Sequence, residues 1–170
     1  IPNIQGAVSQ LIQAAIDAGI AANALEDAIA FIRTRTRPFI DAEVENASDE
    51  PFTIAEIGRL QVELHAAEAL LERAGHVLDE VSARPIDDES AARASVAVAK
   101  AKVLTTEVAI DAANKLFELG GTRSTLARHA LDRHWRNARV HTLHDPVRWK
   151  VQAVGAYHLN GARPARHSWI

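Results

Sequence analysis

His141 and His144 stand three residues apart, with Asp145 and Pro146 directly behind them. On a helix that spacing puts both imidazoles on one face. Imidazole titrates near neutral pH, so the pair suits general acid or base work. Asp145 is the one obvious local third ligand for a metal, too few for a closed site, so no metal is expected. A second group is Arg33, Arg35 and Arg37 in Arg-Thr-Arg-Thr-Arg-Pro-Phe. Guanidinium forks match phosphate oxygens, and threonine hydroxyls are interleaved. The same cations also suit the negative end of a helix dipole. A third is Gly120-Gly121-Thr122, either a plain helix stop in the left-handed cap conformation or a place where bare backbone lets a planar cofactor approach. One or more of His129 and His134 fits a structural, hydrogen-bonded histidine, and Trp135 and Trp149 fit core anchors.

Charge divides the chain. Residues 1–120 hold 10 basic and 20 acidic residues, a net −10; residues 121–170 hold 9 and 2, a net +7. The second segment also gathers six of the eight histidines and all three tryptophans. A site for an anion with an aromatic body, such as a phosphate-bearing cofactor, would use that asymmetry. The overall charge of −3 argues against a nucleic-acid partner, because an acidic bundle repels a polyanion.

The elements that must position these residues are helical. Alanine is abundant, aromatics make up 5% of the 170 residues, and no run is long and apolar enough to span a membrane. There is no cysteine, which removes disulfides and thiol chemistry and fits a cytoplasmic protein. The first helix should cover residues 4–36, with Ile4, Val8, Leu11, Ile12, Ala15, Ile16, Leu25, Ile29 and Ile32 as its apolar stripe and Pro38 as its stop. The second should begin at a capping box, Thr53 with Glu56, and run to about Ala83. The third should start at Asp87-Asp88-Glu89 and end at Gly120-Gly121. A fourth should span 124–140, and a short last helix should start with Asp145 as N-cap and end near Asn160-Gly161. Residues 161–170 are too polar for a core helix and fit either a disordered end or an arm on a neighbouring subunit. The expected fold is all-α, an up-and-down four-helix bundle over residues 1–170. A start at Ile1 without methionine is expected of a piece of a longer protein.

An amphipathic helix ending in arginines, a helix ending in Gly-Gly and the segment Asp132-Arg133-His134-Trp135-Arg136-Asn137-Ala138-Arg139 through Trp149 together resemble a known family. It is the C-terminal bundle of the acyl-CoA dehydrogenase superfamily, and more closely its flavin-dependent monooxygenase branch, with the dibenzothiophene desulfurisation monooxygenases and sulfur-acquisition oxidoreductases. The resemblance implies N-terminal helical and middle β-domains ahead of this bundle, and a homotetramer built through the bundles. It implies FMN, reduced by a separate flavin reductase, with FAD as the alternative, and a small-molecule substrate. Arg33 and Arg35 would contact flavin phosphate, and Glu118, Gly120, Gly121 and Arg139 would complete the cofactor set. His144 would handle a proton beside the reactive flavin carbon, supported by His141. In an acyl-CoA dehydrogenase, the alternative, Asp145 would be the base. A non-catalytic assembly module is a third possibility.

Overall fold

A computed structural model describes residues 2–170. Five helices carry the chain: α1 (Gln5–Arg35), α2 (Pro51–Ser82), α3 (Asp88–Gly120), α4 (Asp132–Leu143) and α5 (Arg148–Asn160). Cross-contacts give their directions. Asp17 of α1 meets Lys102 and Thr106 of α3, and Thr36 bonds the Gly120 carbonyl, so α1 and α3 run parallel. Glu56 and Glu80 of α2 pair with Lys115 and Arg93 of α3, so α2 runs against both. Asp27 and Asp17 meet His134 and His141 of α4, and Glu89 accepts from Tyr157 of α5. Thus α4 and α5 descend in series and together form the fourth leg of an up-and-down bundle, as expected.

The core between α1 and α3 is built on small residues. Ala21, Ala24 and Ala28 face Ala109, Ala112 and Ala113, with Phe31, Leu60, Leu64 and Leu116 filling around them. Alanine lets two helix backbones approach closely and keeps high helix propensity. The apolar stripe assigned to the first helix holds at Leu25 and Ile32, which are buried, and at Ile4, Leu11 and Ile29, which pack against the core, and is corrected at Val8, Ile12, Ala15 and Ile16. Val8, Ile12 and Ile16 are exposed, while Ala7, Ala14, Ala18 and Ala21 are buried. In this first half of α1 the larger side chains are on the wrong side for a tight α1–α3 seam.

The start of α2 also differs. Pro51 takes the first helical position, Thr53 donates to the Glu50 carboxylate at 2.9 Å, and Glu56 turns to Arg59. Fixed proline φ favours that earlier start. A reciprocal capping box stands instead at α3, where Ser90 N–H donates to Asp87 at 2.8 Å and Asp87 N–H to the Ser90 hydroxyl at 3.0 Å. Residues 122–129 do not continue into the expected fourth helix. Ser124 and Thr125 hydroxyls donate to the Gly121 and Thr122 carbonyls and close short 3-10 turns, and Ala130 at φ 49° delays α4 to Asp132. Asp145 is not an N-cap: Val147 precedes α5, and no side chain caps it.

The tail folds onto its own chain. Arg163 pairs with Glu89 at 3.1 Å and Arg166 with Asp88, while Gln10 donates to the Ser168 carbonyl at 3.3 Å. Gly6 makes room for this, since a methyl there would run into the His167 and Ile170 carbonyls.

Candidate functional site

The two predicted histidines sit where α4 ends. His141 occupies its last turn and turns inward, placing Nδ1 2.5 Å from Asp17 Oδ1. Asp17 Oδ2 accepts from Lys102 Nζ at 2.5 Å and from Thr106 Oγ1 at 3.1 Å. Asp17 and Lys102 side chains are fully buried. Burying a charged pair costs desolvation that further hydrogen bonds offset, and the Asp17 carboxylate has three partners. His144 lies just past the helix, exposed, with Nδ1 donating to the His141 carbonyl. Its ring centroid is 5.3 Å from that of His141 and 5.8 Å from that of Trp169, the latter pair packed edge-to-face. Nδ1 of His144 is thereby occupied, and Nε2 is left to exchange a proton.

Asp145 is tied down. It is buried, and its carboxylate lies 3.0 Å from buried Lys150. Beside it a cleft of about 650 Å³ is lined by His144, Asp145, Trp149, Lys150, Pro164 and Trp169. Trp149 and Trp135 are 62% and 42% exposed, so neither is the core anchor that tryptophan usually is. His134 is buried against Asp27 at 2.7 Å, a structural histidine as expected.

The arginines are elsewhere. Arg33 and Arg35 are exposed in the last turn of α1, next to the Gly120-Gly121 end of α3. Arg123, Arg128 and His129 on the following turns join them. Among the described residues Arg33, Arg35, Arg37, Arg123 and Arg128 form no ion pair, so this end carries uncompensated positive charge. The His129 imidazole, edge-on to Phe31 at 5.2 Å, is held below the usual histidine range by desolvation and then by Arg128 and Arg35. Gly121, at φ 69° and ψ −173°, adopts extended mirror-image backbone rather than the left-handed helical cap, a conformation essentially confined to glycine. Glu118 is exposed and paired with Lys115 at 2.8 Å. Arg139 is part-exposed on α4, also without an ion pair.

The structure therefore splits the predicted residues into two groups. Arg33 lies sixteen residues beyond Asp17 on the same helix, roughly 24 Å at 1.5 Å per residue. Asp17 and Lys102 are not singled out in the sequence, and His129 is read there only as a structural histidine. Asp17 left a signal there: it is a carboxylate within the small-residue face between Ala14 and Ala21. Among the described residues no group of three histidines, cysteines or acids is placed to hold a metal ion.

Comparison with known proteins agrees with this architecture. A dibenzothiophene monooxygenase of Rhodococcus erythropolis is 37% identical over 159 residues, 92% of this chain and 38% of that protein. The structure of methanesulfinate monooxygenase MsuC from Pseudomonas fluorescens superposes with a TM-score of 0.92 at 34% identity, over 97% of this chain and 43% of that one. FMN-bound TdsC from Paenibacillus sp. A11-2 superposes with a TM-score of 0.90 at 36% identity, over 95% and 41% of the two chains. The chain spans about two fifths of the length of the curated relatives it matches. The model of the acyl-CoA dehydrogenase C-terminal domain family matches residues 11–149, and the chain belongs to that family.

Proposed function

We propose that this chain is the flavin-binding and assembly-forming part of a reduced-FMN-dependent monooxygenase acting on a small organosulfur or aromatic molecule. The observation that carries the reading is the pairing of an uncompensated arginine end with an exposed histidine whose Nε2 is free, in a fold shared with FMN-bound TdsC. Bound reduced flavin would supply the electrons for O₂ activation. Arg33 and Arg35 would hold its phosphate, with Gly120, Gly121, Glu118 and Arg139 beside it. His144 Nε2 would give or take a proton at the reacting oxygen, and His141 would support it. Asp145 is bound to Lys150, which favours His144 over it as the proton-handling group.

Because the histidines and arginines lie at different heights of one bundle, one flavin would draw them from two subunits. The exposed Val8, Ile12 and Ile16 of α1 and Val140 and Leu143 of α4 are suited to such contacts. The proposed assembly is a homotetramer, served by a separate flavin reductase in the cytoplasm.

The test mixes full-length protein, loaded with reduced FMN, with ¹⁸O₂ in the presence of dibenzothiophene. Labelled sulfoxide is the expected result, and His144→Ala should release hydrogen peroxide instead. A tightly held FAD that is bleached by an acyl-CoA thioester, without oxygen transfer, would replace this reading with a dehydrogenase.

A further inference from the structure

Asp17 has no place in the chemistry described so far, yet it is the most heavily engaged carboxylate in the core. Lys102 and Thr106 both donate to Oδ2, which leaves Oδ1 as an acceptor facing His141. The ring hydrogen between them therefore belongs to His141 Nδ1. The other ring nitrogen, Nε2, is left for the part-exposed side. A carbonyl can only accept, so His144 carries its own hydrogen on Nδ1, donated to the His141 backbone. Both imidazoles thus carry a hydrogen on Nδ1, which in the neutral ring is the Nδ1–H tautomer, one held by a carboxylate reaching from α1 and one by the backbone that this carboxylate anchors.

We propose that Asp17 is a positioning residue for His144: by locking His141 as the Nδ1–H tautomer against α1, it fixes the last turn of α4 and aims His144 Nε2 outward as the proton carrier. Lys102 and Thr106 keep the Asp17 carboxylate in place. The proposal rests on the function proposed above for His144. A carboxylate directly behind a metal-bound imidazole alters activity by about 10- to 100-fold when removed; Asp17 acts on His144 only through His141, so the lower end of that range is expected.

The test uses full-length protein labelled with ¹⁵N-histidine and magic-angle-spinning NMR, with His141 signals assigned by difference from His141→Gln. The wild type should show His141 protonated at Nδ1; an Nε2–H form overturns the lock whatever any variant does. Asp17→Leu/Lys102→Met removes both charges together and avoids an orphaned buried ammonium. It should lose the tautomer preference and raise the ratio of peroxide to oxygenated product about tenfold, with FMN affinity unchanged. An unchanged ratio after the tautomer is lost would reduce the network to a structural clasp between α1 and α3. If the wild type oxygenates nothing, the proposed function falls, while the spectra still decide the lock.

Discussion

Asp145 and Lys150 meet at 3.0 Å with almost no solvent around either side chain. The pair joins the turn after α4 to the first turn of α5, so it sets how the fourth leg of the bundle bends. One Asp145 oxygen facing Lys150 makes no hydrogen bond, so the contact is ionic rather than aligned.

Removing one partner strands the other. Lys150→Met is expected to destabilise the protein by about 3–5 kcal/mol, and Asp145→Asn/Lys150→Met to recover most of it. Urea unfolding of the two variants measures this. Equal losses would mean that the pair contributes only packing.

The arginine end should select for phosphate. Arg35→Ala, and separately Arg33→Ala, should weaken reduced FMN binding about tenfold, the loss of a charged hydrogen bond. Riboflavin, which lacks the phosphate, should bind variant and wild type alike. Equal weakening of both ligands would place these arginines against the ring.

The Gly120-Gly121 turn should resist side chains for two different reasons. A Cβ on Gly120 would lie 2.9 Å from Ser124 Cβ, so Gly120→Ala must displace that turn. Adding Ser124→Gly should restore part of the lost melting temperature. Gly121→Ala meets no neighbour but forces alanine to φ 69°, at a cost of about 1–3 kcal/mol. No second substitution nearby should relieve it.

Acid should loosen the N-terminus of α3. The backbone and hydroxyl of Ser90 hold the Asp87 carboxyl below its usual range, and Tyr157 followed by Arg163 does the same to Glu89. A carboxylate whose folded pKa is depressed takes up its proton more readily in the unfolded chain. Its stabilisation is therefore present above the ordinary carboxylate pKa and is lost as pH falls through the lower, folded value. Asp87→Asn keeps a capping side chain but cannot ionise, so its unfolding free energy should fall less steeply below about pH 4. Parallel acid limbs for wild type and variant would contradict this.

Much of this protein was legible from its residues. Pro38, the Asp87 start and the Gly120-Gly121 stop mark helix ends because caps and breakers act within one or two turns of chain. The basic character of residues 121–170, and the arginines closing α1, are likewise visible without any fold. What neighbours decide was not legible. Periodicity shows that α1 has an apolar stripe, but Val8, Ile12 and Ile16 lost the core to Ala7, Ala14 and Ala18 because α3 packs too close for larger side chains. Ser124 and Thr125 diverted the chain into 3-10 turns through hydroxyl bonds that compete with a helix start. Asp17 acquires meaning only from Lys102, 85 residues away, and from His141, 124 residues away. Local chain chemistry determined the helices and their ends; close packing between distant segments decided which faces are buried and which groups share a site.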